Sequence, residues 1–321
     1  MCAHSRPPAD WQTGSVIVVV CPGQGSQTPG FLAPWLAEPA FADRLTSLSD
    51  AAGIDLATHG TESDADTIRD TQVAQPLIVA AGMLALGALL ADGRDARIGG
   101  IAGHSVGEIT AAAGAGVLTD AEAMRFVAER GRAMAAAAAE VATGMSAVIG
   151  ADEAELLARL AELGLEPANF NGGGQLVVAG ALDALEQLKA EPPAGARVIP
   201  LQVAGAFHTH YMQPAAQRLA AVAETLAPAD PALPLWTNHD GSRVASGADF
   251  VELLVGQVSS PVRWDRCMAA FGDAGVTGII EVAPAGALVG LAKRALKGVP
   301  TVAVKTPDDL PAAIELIEQA A

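Results

Sequence analysis

The sequence predicts an α/β protein, a mostly parallel sheet flanked by helices, with a smaller unit of mixed strands and helices set into it. Three observations predict this. Residues 15–21 and 276–282 are short, continuous apolar runs, the pattern of strands buried on both faces of a parallel sheet. Gly103-His104-Ser105-Val106-Gly107 has short apolar residues before it and an Ala-rich run after it, so it reads as strand, sharp turn, helix. Between residues 140 and 207 the elements follow the order β-α-β-β-α-β, that of a ferredoxin-like unit.

In chain order, residues 1–14 lack the apolar stretch of a secretion signal. They read as a disordered extension, or as a translation start set upstream of the fold. The first strand, 15–21, ends in Pro22-Gly23-Gln24-Gly25-Ser26-Gln27, a loop too glycine-rich for a helix. It is either an ordinary turn or a backbone that closes on a ligand, and it lacks the Gly-Lys-Ser/Thr and glycine spacing of nucleotide loops. Residues 31–90 read as mostly helical, broken at Pro34, Pro39, Gly53 and Gly60, with a long apolar helix opening at Asp70 and running to about Leu90. Gln75, just before Pro76, is either a site-lining amide or a hydrogen-bonding group at the helix start. Thr119-Asp120-Ala121-Glu122 has the spacing of a capping box and starts a further helix.

Strands are expected at 144–150, 167–171, 175–179 and 197–203, and helices at 152–163 and 182–190, with Gly172-Gly173-Gly174 joining the middle strands. The α/β character then resumes with strands at 232–238 and 276–282, a loop at 256–264, and helices at 287–297 and 310–318. The domain reading is therefore a body of residues 15–139 and 208–321 with an insert at 140–207.

Composition narrows the function. The 321 residues suffice for one large elaborated domain, and the 51% apolar fraction with only 4% aromatics means a core of Ala, Val, Leu and Ile. A net charge of −17 argues against nucleic acid, since no general basic field is available to displace counterions from phosphates. The cysteines Cys2, Cys21 and Cys267 form no disulfide framework and suit a reducing cytoplasm. No uninterrupted apolar run reaches the roughly 18 residues of a membrane span.

Three stretches carry chemistry. At Ser105 the turn lifts the hydroxyl clear of the backbone, and the helix that follows aims N–H groups and a partial positive charge beside it, the geometry of a nucleophile attacking an acyl carbon. On the next helix Ala123, Phe126, Val127, Arg130, Ala133 and Met134 share one apolar face, while Arg125, Glu129 and Arg132 lie opposite. Arg130 alone is thus a guanidinium on an apolar stripe, either paired with an internal carboxylate or held for a substrate carboxylate. His208 sits where the insert returns to the body, either as a surface group or as a base lining a pocket. His210, two residues on, finds no third ligand at a familiar spacing, so a metal is discounted. Between Glu281 and Asp308 the chain carries Lys293, Arg294, Lys297 and Lys305 with no acid, either as solvated charges or as a patch for an acidic partner.

Taken together, Pro22-Gly23-Gln24-Gly25-Ser26-Gln27, Gly103-His104-Ser105-Val106-Gly107-Glu108, Arg130, Gly205-Ala206-Phe207-His208 and Gln257…Pro261-Val262-Arg263-Trp264 resemble, in order, the malonyl-CoA:acyl-carrier-protein transacylases. The resemblance spans residues 15–310. It implies an α/β-hydrolase-like body with a ferredoxin-like insert, Ser105 as nucleophile, His208 as general base and Arg130 as clamp for the malonyl carboxylate. It further implies an oxyanion hole from the backbone N–H groups of Gln24 and Val106, with Gln257 near the base; Phe207, directly before His208, is expected to restrict the acyl pocket, and Gln75 and Met134 are further candidates to line the substrate. Relatives that take the branched extender tend to carry a smaller residue at the position of Phe207. Ser260 departs from the asparagine many relatives carry before the proline, which leaves the orientation of the Gln257 loop open. No acid stands in a Ser…Asp…His order, so a Ser–His dyad is expected, its imidazole oriented by a backbone carbonyl or an amide such as Gln257.

The partners so implied are malonyl-CoA and, transiently, an acyl carrier protein whose phosphopantetheine takes the acyl group. Lys293, Arg294 and Lys297 are the candidate docking face. No bound cofactor, metal, nucleic acid or membrane is expected, and a cytoplasmic monomer is. A polyketide acyltransferase would read nearly the same. A serine esterase or thioesterase shares the elbow but has no need of Arg130, and a non-catalytic carrier-binding protein would be expected to lack Ser105 or His208.

Overall fold

The computed structural model describes residues 16–319; the extension read at 1–14, with Cys2 and His4, lies outside the described residues. Its strands are β1 (Val16–Cys21), β2 (Ile98–Gly103), β3 (Thr143–Ile149), β4 (Glu166–Gly172) and β5 (Gln175–Ala181). They continue with β6 (Arg197–Pro200), β7 (Leu235–Trp236), β8 (Arg243–Val244), β9 (Val276–Glu281) and β10 (Thr301–Ala303).

Six strands form one sheet in the order β10-β9-β1-β2-β7-β8, parallel throughout except for the antiparallel pair β7 and β8. β1 at its centre is buried along its whole length. Its side chains divide between two cores, Ile17, Val19 and Cys21 on one face and Val16, Val18 and Val20 on the other. A strand packed on both faces has no use for polar alternation, which is why it reads as an unbroken apolar run. The first core also takes in the helices Thr71–Leu90 and Asp120–Glu140; the second is closed by Trp264–Asp273 and Ala287–Ala295.

The other four strands form an antiparallel sheet in the order β4-β5-β3-β6. With the helices Glu153–Leu163 and Leu182–Ala190 this is the ferredoxin-like arrangement. The turn between β4 and β5 needs φ of 72°, 59° and 76° at Gly172, Gly173 and Gly174, a left-handed run that only glycine adopts freely. β4 is also tied to the larger body, where Phe170 N–H donates to the Val262 carbonyl at 2.9 Å and Val262 N–H to that of Ala168 at 2.9 Å.

Several boundaries differ from the sequence reading. The strand expected at 197–203 stops at Pro200, and Leu201 and Val203 turn instead to line a cavity. The strand expected at 232–238 is only Leu235–Trp236, because the chain leaves the ladder to carry Asn238 under the turn at Ser105. Gln257, read as a loop residue, is the last residue of the helix Gly247–Gln257. The helix expected to reach Lys297 ends at Ala295, where Leu296 leaves helical angles with φ −118° and ψ 66°. The helix Thr71–Leu90 is long and apolar enough to cross a membrane once Gln75 is counted within it, yet 78% of its apolar window is buried inside the protein. Here it is a core helix.

The strand β1 and the helix Gly107–Gly114 pass so closely that a Cβ on Gly107 would stand 2.1 Å from the Cys21 carbonyl oxygen. Gly107→Ala should therefore lower stability by about 1–3 kcal/mol through backbone displacement. An unchanged urea midpoint would contradict this packing.

Candidate active site

β2 delivers the chain to Ser105, which takes φ of 54°, and the helix Gly107–Gly114 leaves from it. A positive φ is uncommon for a residue with a Cβ, so the turn must be held from outside. Asn238 holds it: its Oδ1 accepts from the Ser105 backbone N–H at 2.8 Å, and its Nδ2 donates to the Gly103 carbonyl at 2.7 Å.

The Ser105 hydroxyl lies 2.8 Å from Nε2 of His208. His208 also has a positive φ, 63°, and its backbone N–H donates to the Val258 carbonyl at 3.0 Å. Its Nδ1 is 2.8 Å from the backbone carbonyl of Gln257. A carbonyl can only accept, so Nδ1 carries the proton and the Nε2 lone pair faces the serine. Burial, and after it the positive charge of Arg130, disfavour the imidazolium and push its pKa down to about 3. His210 faces the other way, exposed, with Nδ1 on the Glu166 carboxylate.

Arg130 is 1% exposed. Its Nη1 donates to Gln75 Oε1 at 2.8 Å, and its Nη2 to Gln257 Oε1 at 2.8 Å and to Ser105 Oγ at 3.4 Å. All three acceptors are neutral. Among the described residues the arginine ion pairs are on Arg44, Arg69, Arg94, Arg132, Arg159 and Arg263, not Arg130. Burial pushes its pKa down to about 10, which leaves it charged at neutral pH. The internal carboxylate expected as one alternative is thus absent from direct contact, and the guanidinium retains N–H donors for an anion.

The match to known proteins is extensive. A family model described as an acyl transferase domain matches residues 18–308. The malonyl CoA-acyl carrier protein transacylase of Mycobacterium tuberculosis is 52% identical over 299 residues, 92% of this chain and 98% of that one. The chain belongs to this transacylase family. The Escherichia coli transacylase is 34% identical over 92% of this chain and 98% of its own. Among solved structures, MCAT from Mycobacterium tuberculosis has a TM-score of 0.90 at 51% identity, covering 93% of this chain and 99% of that one. A malonyl-transacylase solved with its type II PKS acyl-carrier protein, AntF, has a TM-score of 0.87 at 33% identity, covering 94% of this chain and all of that one.

In this transacylase-family chain a cavity of about 480 Å³ opens on Ser105 and His208. Gln24, Gln75, Val106, Met134 and Phe207 also line it, whereas Arg130 and Gln257 do not line the cavity but are tied to Ser105 by hydrogen bonds. No hydrogen bond within the described residues occupies the backbone N–H of Gln24 or Val106. Of the basic residues, Arg294 lines the cavity and donates to Gln175 Oε1 at 3.2 Å; Lys293 is exposed beside it. Lys297 lies beyond the helix end, which corrects its expected place on the same helix as the other two.

Sequence reading missed four side chains. Glu108 and Asn238 lie beneath the elbow, and His104 Nε2 donates at 2.9 Å to Asn171 Oδ1 on the cavity wall. Glu108 and His104 had a signal, their places within the motif around Ser105, whereas Asn171 and Asn238 had none.

The sign of the His208 shift is testable. Because both causes oppose protonation, the imidazole should titrate below its usual range near 6.5 and remain neutral, as the Nδ1–H form, down to pH 5. Nitrogen NMR of the histidine rings would show this; a His208 midpoint near 6.5 would contradict it.

Proposed function

We propose that the chain transfers the malonyl group of malonyl-CoA to the phosphopantetheine thiol of an acyl carrier protein, through a malonyl ester on Ser105, in fatty acid synthesis. The carrying observation is the 2.8 Å Ser105–His208 pair beside a buried guanidinium whose contacts are all neutral. His208 Nε2 takes the hydroxyl proton as Oγ attacks the thioester carbon. The oxyanion is held by the N–H groups of Gln24 and Val106, worth about 3 kcal/mol per donor in comparable sites. The C–S bond breaks, and the imidazolium returns its proton to the coenzyme A sulfur. The carrier thiol then gives its proton to His208 and attacks the ester carbon; the C–O bond to Ser105 breaks and His208 returns the proton to Ser105 Oγ.

Arg130 takes the malonyl carboxylate in its fork. Gln75 and Gln257 hold the guanidinium, and Met134 and Phe207 bound the acyl pocket, Phe207 disfavouring a branched extender. One methyl is worth only about 1–3 kcal/mol, so preference rather than exclusion is expected. The cavity is lined both from 140–207, the unit proposed as the insert, and from the rest of the chain. The enzyme is taken to act as a cytoplasmic monomer with no resident cofactor; the buried, unpaired Cys21 and Cys267 agree with a reducing compartment.

Arg130→Ala tests the reading. Transfer to holo carrier protein should fall at least about a hundredfold with malonyl-CoA, the size of a lost charge-assisted contact, and much less with acetyl-CoA. An equal fall for both would make Arg130 structural.

The carrier protein, an acidic body, is proposed to dock at the acid-free segment around Lys293. Arg294 lines the cavity and would disturb coenzyme A as well, so Lys293 and Lys297 are the cleaner probes. Lys293→Glu with Lys297→Glu should raise the KM for carrier protein and flatten its salt dependence, with Ser105 loading near wild type. Unchanged carrier kinetics would place docking elsewhere.

A further inference from the structure

Glu108 is buried and lies outside the chemistry described so far. One of its carboxylate oxygens accepts from the Asn238 backbone N–H at 2.7 Å, the other from Gln257 Nε2. That same Nε2 also donates to the Ser105 carbonyl at 3.1 Å. On the far side of the amide, Gln257 Oε1 accepts from Arg130 Nη2 at 2.8 Å.

A glutamine amide has two ends of opposite polarity, and packing alone does not choose between them. Here the choice is forced. Guanidinium N–H groups only donate, so the amide must turn its oxygen to Arg130, which leaves its nitrogen facing the Glu108 carboxyl oxygen as acceptor. The Asn238 N–H fixes the other carboxylate oxygen in the same way.

We infer that Glu108 is a positioning residue for acyl selection: through Gln257 it holds Arg130 in place for a substrate carboxylate while leaving that guanidinium unpaired. A carboxylate in direct contact with Arg130 would compete with the substrate for the same fork. Placing the amide between them supplies a fixed neutral acceptor that takes one Nη2 hydrogen and leaves other guanidinium N–H groups for the substrate. This rests on the malonyl-transfer reading above.

Glu108→Gln exposes the role because it keeps the shape and loses the polarity. If the introduced amide turns its NH₂ to Asn238, two donors face each other. If it turns that NH₂ to Gln257, the Gln257 amide flips and presents its own NH₂ to Arg130. Either way one donor–donor contact is forced, and in the second case Arg130 loses its acceptor.

The experiment measures kcat and KM with malonyl-CoA and with acetyl-CoA for wild type, Glu108→Gln, Gln257→Leu and the double variant, each checked for wild-type circular dichroism. Glu108→Gln should raise the KM for malonyl-CoA about tenfold or more with a smaller fall in kcat, while acetyl turnover changes less than about threefold. The double variant should be no worse than Gln257→Leu alone, since both changes break one chain of contacts. Wild-type discrimination in Glu108→Gln, an equal loss on both substrates, or multiplicative losses in the double variant would overturn the inference. Should Glu108→Gln not fold, Glu108→Asp, which keeps the charge but shortens its reach, must show the same KM-selective loss, and wild-type discrimination there would overturn it equally. Failure of the wild type to transfer malonyl would sink the functional reading itself, whereas a normal wild type with a silent Glu108→Gln sinks only this inference.

Discussion

The site hangs on Gln257, the last residue of its helix. Its backbone carbonyl fixes the His208 tautomer, its side-chain oxygen holds Arg130, and its side-chain nitrogen reaches both the Ser105 carbonyl and Glu108. The end of a helix suits this task, because its last carbonyls have no partner within the helix and are free to accept. One residue thereby sets the geometry of Ser105, His208 and Arg130, which arrive from three distant parts of the chain. Each of them is buried or nearly so, and a misplaced hydrogen bond in such surroundings costs more than it would in water.

Arg130 illustrates the electrostatic cost the fold accepts. An uncompensated guanidinium in the interior is unfavourable, and burial depresses its pKa accordingly. Its charge also helps to hold the His208 imidazole neutral. In the proposed reaction the cation serves two ends, attraction of an anionic acyl group and maintenance of the free base. Glu108 balances the charge at one remove, and burial raises its own pKa to about 7. The carboxylate sits behind the amide instead of in the cavity that opens on Ser105.

Much of this was legible in the chain because its signals are local. The elbow declares itself in consecutive residues, since the close passage of strand and helix admits only glycine at 103 and 107. The apolar stripe around Arg130 follows helical period, and the capping box at Thr119 forms as its spacing suggests. His208 was different: its place where the insert returns to the body left a surface group and a pocket base both open, and the resemblance chose the base. Asn238 and Glu108 were not legible as partners, because their hydrogen bond joins residues 130 positions apart and depends on the whole sheet. Helix ends at Gln257 and Ala295 were misjudged for a related reason. No strong stop residue follows either one directly, and tertiary contacts decide where they finish.

The central claim is that Ser105, activated by a neutral imidazole, carries the acyl group between its two thiols. Intact-protein mass spectrometry after brief mixing with malonyl-CoA, with no carrier present, tests it most directly. One malonyl adduct, mapped to the peptide containing Ser105 and discharged by added holo carrier protein, is the predicted result. Rapid transfer with no adduct, or an adduct on another residue, would contradict the account.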